Sequence, residues 1–425
     1  MLNSFHGGAH TAQLTSKRAS TAVTWEAETI RRSTLTAQIS ALTLEMEQLS
    51  QTMAALGRIS PGMEKAAGQR FADSIATRQS ELGRLALSVN AEGPRPKFWA
   101  DFRQTRQHCA TLAREYLAFA LGGFARQANL DGGLLRIADA LLAELSERVK
   151  VSWDPLTVLA ETEWYGEEAQ IIRLRFPETS IWNLPVAAHE FGHFAGPRLT
   201  VRADNGRVWE LTYPVSAILR READRGSVHW SRMHEFFADA FAVFLTGPAY
   251  ACTSLLLRFD PAVPDSDGPT HPGHAKRAYL MGQMLEKMDQ AGATTSYVGV
   301  LRQLRERWRA SVTEAGALDG RTAAELEAKA AAEAEPTAEE IWALLQETIP
   351  TQRYRGMPAA QAIKPALLGG PTAQPGAALT LADALNAAWL CRLDHWDDDR
   401  DVTATVAARA LELCHRIADR KASGA

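Results

Sequence analysis

The sequence lacks the cysteine pattern of a disulfide-stabilised or zinc-ribbon protein. Its 425 residues contain four cysteines, none of them in a CxxC pair: Cys109, Cys252, Cys391 and Cys414. This scattered placement excludes a zinc ribbon and predicts reduced thiols, most of them buried. A chain of this length buries a sizeable core without covalent cross-links and has room for two or three domains.

Long blocks of one charge and long apolar runs are also missing. The 46 Lys and Arg residues and 50 Asp and Glu residues give a formal net charge of −4, so no nucleic-acid partner is expected. The longest apolar stretch, 236–257, is interrupted by Asp239 and Pro248 and falls short of a membrane span. The N-terminal sequence lacks the apolar segment and cleavage site of a secretory signal. We therefore expect a soluble, cytoplasmic protein.

Hydrophobic periodicity predicts a mainly α, α+β fold that begins with a helical hairpin. Apolar residues in 35–56 alternate at steps of four and three, which is typical of the seam of a packed helix. A turn at 57–62 separates this helix from a second helical pattern between Phe71 and Val89. The hairpin either binds a partner protein or packs on its own domain, because seams this short do not distinguish the two.

Changes of pattern along the chain predict four regions. These are the helical hairpin (1–95), a helical lead-in (96–150), a core with a small sheet (151–302) and a helical C-terminal region with flexible connectors (303–425). Within the core, the period-two pattern of 171–176 predicts a half-buried strand.

One helical motif in the core has the spacing of a metal site. Residues 186–196 read VAAHEFGHFAG, and a helix places His189 and His193, four residues apart, on one face where both imidazoles reach one metal. A catalytic zinc ion takes three protein ligands and leaves its fourth position for water. Glu190, between the histidines, is then placed as the general base that takes a proton from that water.

The third ligand is sought outside the motif. The metzincin pattern requires a histidine at position 199, which is Leu199. Glu235 and Asp239 lie four residues apart in a very apolar helical run, where buried carboxylates need a cation or a fixed hydrogen-bond donor. A zinc ion held by two histidines supplies the cation. His234 is an equally competent donor about 100° around the helix and stays an alternative.

These motifs resemble a known group of enzymes. HEFGH followed by EFFAD is similar to the gluzincin zinc metallopeptidases, whose third ligand is the Glu of an ExxxD pair. Thr270-His271-Pro272 with Arg277 is similar to the HPxxxxR element of their HtpX-like and CaaX-prenyl-protease-like branch. The resemblance implies a zincin-like core and peptide-bond hydrolysis of a protein or peptide substrate. It also implies one Zn²⁺ per chain, bound by His189, His193 and Glu235.

Other residues near the motifs are expected to have supporting roles. Asp239 is expected to accept the free N–H of a ligand histidine. His271 and Arg277 are expected to donate hydrogen bonds to the oxyanion of the tetrahedral intermediate, the alternative for His271 being an exposed loop residue. The strand at 171–176 is interpreted as an edge to which an extended peptide adds.

Two points limit what is carried over from these enzymes. The chain lacks the membrane spans of that branch and adds helical regions at both ends, so no CaaX or membrane-protein substrate is implied.

The alternative function is a catalytically idle, zinc-binding regulatory or scaffold protein that binds a partner through its hairpin. An intact Glu190 argues against it.

Overall fold

The computed structural model gives a mainly helical protein, as the periodicity predicts. The structure describes residues 35–51, 68–92, 95–153, 156–160, 164–166, 171–175, 180–204, 209–292, 296–318, 320–370, 379–396 and 400–423. The chain divides into two compact units, Met1–Ala120 and Leu121–Ala425. The four-region division drawn from the sequence stays a prediction.

The first unit contains the two helices of the predicted hairpin. Helix α1 spans 35–51, α2 spans Gln69–Glu92, and α3 begins at Pro96 and ends at Gln127. Leu49 is partly buried, and Met53 and Leu56 lie outside the described residues. The other predicted apolar positions are buried: Leu35, Ile39, Leu42, Met46, Phe71, Ile75, Leu82, Leu85 and Val89. The turn at 57–62 lies outside the described residues.

The second unit carries the candidate site. Its described helices are α4 (Leu134–Val149), α5 (Val186–Ala195), α6 (Pro214–Asp224), α7 (Ser227–Thr246), α8 (Pro248–Thr253), α9 (His274–Gln290), α10 (Val298–Glu314), α11 (Ala323–Thr348), α12 (Met357–Leu367), α13 (Leu381–Asp394) and α14 (Arg400–Ser423). A 3₁₀ turn (Gly196–Arg198) follows α5, and a π-helical turn (Ser254–Arg258) follows α8. Among the described residues, no helix is both long and apolar enough to cross a membrane.

Two small sheets accompany these helices. Strands β1 (Thr157–Ala160), β2 (Trp164–Gly166) and β3 (Ile171–Arg175) form one sheet in the order β1-β3-β2. Strands β4 (Val201–Asp204) and β5 (Trp209–Thr212) form an antiparallel pair.

The third strand forms where the sequence predicts it, but its environment differs from the prediction. Ile172 on β3 lies opposite Thr157 of the parallel β1 and opposite Tyr165 of the antiparallel β2. β3 is therefore the central strand, and the interpretation of the strand at 171–176 as a peptide-binding edge is wrong because both edges of β3 are already paired. Four consecutive residues, Ile171 to Leu174, are buried, so the predicted one-sided burial is also wrong. Phe176 lies outside the described residues.

Close packing of α5 on α7 brings the two motifs together. Gly192, inside HEFGH, faces α7 so closely that a Cβ atom there would lie 3.0 Å from the Cα of Ala238. α7 is buried continuously from Glu235 to Thr246, so its carboxylates lie in the hydrophobic core. The burial predicted for Glu235 and Asp239 in this very apolar helix is thus confirmed.

A sharp turn after α7 returns the chain toward the same site. Gly247 has a φ of +69°, a conformation that glycine adopts readily, and Pro248 begins α8. The buried Asn386 of α13 holds this turn, because its Oδ1 accepts a hydrogen bond from Ala249 N and its Nδ2 donates to Thr246 O. As a result, Tyr250 points back at α7.

Candidate metal centre

Helix α5 presents two imidazoles on one face, as the four-residue spacing predicts. His189 is 5% exposed and Glu190 is 7% exposed. The Nε2 atoms of His189 and His193 lie 3.2 Å apart. Because both ring edges point at one location, two lone pairs are available there to a single ion.

Glu235 on α7 supplies the third donor. Its Oε2 lies 3.4 Å from His189 Nε2, and its Oε1 lies 3.5 Å from His193 Nε2. In a tetrahedral zinc site with bonds of about 2.0–2.1 Å, neighbouring ligand atoms lie about 3.3–3.4 Å apart. Among the described residues, none donates a hydrogen bond to the buried Glu235 Oε2. His189, His193 and Glu235 therefore form a group that could hold a metal ion.

The alternative ligand His234 occupies a different position. Its Nδ1 lies 2.9 Å from Nδ1 of His193, on the opposite edge of that ring from the Nε2 atom that faces the metal group. His234 is not part of the group of donors that meet at one point. Between the two neighbours considered from the sequence, the geometry places Glu235 in the group.

Behind the donor group, Asp239 is surrounded by hydrogen-bond donors. It is completely buried and lies 3.0 Å from His189 Nδ1, which is the contact expected of it. Arg277 on α9 donates to both of its oxygens, from Nε at 2.7 Å and from Nη2 at 2.8 Å. The Tyr250 hydroxyl donates to Asp239 at 2.6 Å and lies 2.9 Å from His189 Nδ1.

The charges in this network shift several pKa values. Burial alone would raise the pKa of Glu235 and of Asp239, but the cations around them, Arg277 above all for Asp239, hold both pKa values well below their usual range. Burial opposes a charge on His189, yet the nearby carboxylates of Asp239 and Glu235 raise its pKa to about 10. Burial lowers the pKa of His193 to about 3, with Glu235 opposing the effect and His189 adding to it.

A cleft of about 410 Å³ opens beside the donor group. Its lining includes His189, Glu190, Tyr250, His271 and Arg277, so the residue expected to be the general base faces the same space as a ligand histidine. The cleft has the size of a small-ligand site.

The two residues of the HPxxxxR element differ in their surroundings. The His271 side chain is 54% exposed, and its Nε2 lies 3.2 Å from Glu235 Oε1. Its Nδ1 lies 2.7 Å from the Thr270 hydroxyl. Arg277 is buried, and its guanidinium is directed at Asp239, with Glu235 Oε2 a further 3.4 Å contact. The oxyanion role of both residues stays a prediction.

Sequence reasoning missed Tyr250. Its ring stacks on His189 with centroids 5.6 Å apart, and its hydroxyl reaches Asp239. A signal was present, since a tyrosine in an otherwise apolar run needs a partner for its hydroxyl when buried. The partner was not identifiable, because it depends on the turn at Gly247 and Pro248.

Comparison with protein-family models, with curated proteins and with solved structures finds no match to this chain. The case for a function therefore depends on the geometry of the site and on the motifs.

Proposed function

We propose that this protein is a zinc-dependent metallopeptidase of the gluzincin type, with a zincin-like core. The observation that carries the proposal is the convergence of His189, His193 and Glu235 at tetrahedral-edge distances beside a buried Glu190. Three protein ligands leave one position open, which is the arrangement of catalytic rather than structural zinc sites.

Each residue of the centre is assigned one task in this proposal. A zinc ion bound by the two histidines and Glu235 would supply Lewis-acid polarisation and a lowered pKa for water at its open position. Glu190 accepts the proton of the attacking water and delivers it to the leaving amine nitrogen. His271, at the exposed side of the cleft, donates a hydrogen bond to the developing oxyanion.

Asp239 and its partners orient the ligands. Asp239 accepts from His189 Nδ1, which leaves the Nε2 lone pair of that ring for the metal. Arg277 keeps the buried Asp239 ionised, and Tyr250 fixes it from a second direction. We therefore assign Arg277 a supporting role through Asp239, in addition to the predicted oxyanion role.

The decisive experiment compares the parent protein with Glu190→Gln. Both proteins are loaded with zinc and incubated with a denatured protein mixture, and new N-termini are identified by mass spectrometry. We expect the parent to generate new termini and Glu190→Gln to be at least roughly a hundredfold slower, the low end for loss of acid–base catalysis. Zinc content should be equal, because glutamine is nearly isosteric and Glu190 is not a ligand.

Two results would count against the proposal. If Glu190→Gln generates the same termini at the parental rate, the hydrolysis comes from a contaminant or another site. If the zinc-loaded parent generates no termini while binding protein partners, the zinc-binding scaffold function replaces it.

A further inference from the structure

The cleft beside Glu190 is rich in cationic side chains. Arg175 at the end of β3 and Arg258 at the end of the π-helical turn line it together with Arg277, and Glu190 is the one carboxylate among its described lining residues. Arg175 is exposed and Arg258 is partly exposed. Both arginines therefore lie where a ligand in the cleft can reach them.

Arg175 and Arg258 bring two guanidinium groups to the lining of the cleft. A guanidinium has five N–H donors, so each arginine can keep a contact within the protein and still donate to a ligand.

We propose that the cleft selects substrates by a carboxylate group, which Arg175 and Arg258 bind. Guanidinium matches a carboxylate with two parallel hydrogen bonds, so arginine recognises this group better than lysine does. The carboxylate belongs either to an acidic side chain next to the scissile bond or to the C-terminus of a peptide. This inference rests on the proposed peptidase function, which supplies peptides as the ligand class.

The test measures binding apart from cleavage. Zinc-loaded Glu190→Gln protein is titrated by fluorescence anisotropy into three labelled peptides of equal length: acidic with an amidated C-terminus, neutral with a free C-terminus, and neutral with an amidated C-terminus. We expect at least one carboxylate peptide to bind about tenfold or more tightly than the fully neutral one. The peptide that binds identifies the source of the carboxylate.

Variants of the arginines make the assignment specific. Adding Arg258→Gln or Arg175→Gln should remove most of the preference, while Arg302→Gln, which removes an exposed arginine of α10 outside the cleft, should retain it. Equal binding of all three peptides, or a preference that survives both cleft substitutions, would overturn the inference.

The two proposals fail in different ways. Arginine-dependent binding of carboxylate peptides with no cleavage by the parent protein would reject the peptidase and keep the recognition site. Cleavage of neutral and acidic peptides with the same kcat/KM would keep the peptidase and reject carboxylate selection.

His234 makes a contact whose geometry defines a role at the metal group. The His193 and His234 rings are tilted by 4° and their centroids are 5.1 Å apart, while their Nδ1 atoms are 2.9 Å apart. The centroid separation is close to the nitrogen–nitrogen distance plus two ring radii, so the rings lie edge to edge in nearly one plane. This is the geometry of an N–H···N hydrogen bond.

The direction of this bond follows from the donor group. His193 needs a free Nε2 lone pair to bind a metal, so its proton lies on Nδ1 and is donated to Nδ1 of His234. Trp230 packs on the His234 ring, with centroids 4.8 Å apart. We infer that His234 is a positioning residue that fixes the tautomer and orientation of His193.

This second inference is tested without an activity assay. In ¹⁵N-labelled protein loaded with zinc, His193 should carry its proton on Nδ1. His234→Ala should bind zinc roughly 10- to 100-fold more weakly than the parent, whereas His229→Ala, an exposed histidine of the same helix, should bind like the parent. His234→Gln should recover part of the loss, because its amide oxygen can accept the bond.

Two outcomes would overturn the positioning role. One is a His193 that is protonated on Nε2 or deprotonated on both nitrogens in the zinc-loaded protein. The other is an equal zinc affinity for His234→Ala and His229→Ala, with circular dichroism showing both variants folded.

Discussion

Removing Arg277 should destabilise the protein because it leaves a buried carboxylate without its cation. Asp239 has no exposed surface and accepts hydrogen bonds from Arg277 at 2.7 and 2.8 Å. Breaking a buried pair by removing one partner costs about 3–5 kcal/mol. Asp239 keeps its contacts with Tyr250 and His189, so we expect Arg277→Met to lower the free energy of unfolding by about 3 kcal/mol, the low end of that range.

The measurement is urea unfolding of chelator-treated protein at neutral pH, followed by tryptophan fluorescence. The chelator removes the stabilisation that a bound metal would add, and Trp182, Trp308 and Trp389 report on 121–425. Arg302→Met, on the surface of α10, is the matched control and should stay within about 0.5 kcal/mol of the parent. The double variant Arg277→Met, Asp239→Asn should lose less than the sum of the single losses.

Lowering the pH should reduce the difference in the free energy of unfolding between Arg277→Met and the parent. The pKa of Asp239 is depressed in the folded protein, so its ionised form stabilises the fold above the unfolded pKa of about 3.9, and this stabilisation is lost as the pH falls. In the variant, Asp239 protonates at a higher pH and the unpaired charge disappears. Two results would refute the reasoning. One is that Arg277→Met lowers the free energy of unfolding by less than about 1 kcal/mol at neutral pH. The other is that the losses of the two single variants add up in the double variant.

Three further predictions test the centre and the core. Reconstituted protein should hold about one zinc per chain by elemental analysis, and Glu235→Ala should lose most of it; retention of zinc in Glu235→Ala would reject the ligand assignment. The pKa of His189 is raised to about 10, and a ligand imidazole must be neutral, so zinc binding at pH 8 should release about one proton. The released proton is measured with an indicator dye in weak buffer. A zinc affinity that is constant between pH 7 and 9 would contradict this prediction. All four cysteines are buried, and burial raises the pKa of Cys109 and Cys391 to about 11. A disulfide reagent should therefore label native protein far more slowly than urea-unfolded protein. Rapid labelling of the native state would show that the core opens.

Local patterns were sufficient to predict the helices of the N-terminal hairpin and the lead-in, and the donor group. The region 96–150, predicted to be helical, contains α3 and α4, because burial of one helix face requires apolar residues at helical spacing. The convergence of His189 and His193 follows from the four-residue spacing alone. Glu235 required an energetic argument, since a carboxylate in an apolar helix needs a cation.

Features that depend on long-range contacts were not predictable in the same way. The central position of β3 depends on its pairing with β1 and β2 on either side, which the period of one strand does not encode. Arg277 was expected to face substrate, yet it contacts Asp239, 38 residues earlier in the chain. His234 stays an alternative ligand at the level of the sequence, because the sequence gives the chemistry of its side chain and not the direction of its ring.

The Asn386 contact across the turn after α7 has a consequence for biosynthesis. Asn386 bonds to Thr246 and Ala249, which are 140 and 137 residues earlier. At about 5–20 residues per second, a ribosome needs roughly 7 to 28 seconds to add that length of chain. During that interval the nascent chain carries the apolar α7 without the residue that fixes its C-terminal end. We therefore expect the turn that directs Tyr250 at Asp239 to form late in cotranslational folding, after Asn386 has been added.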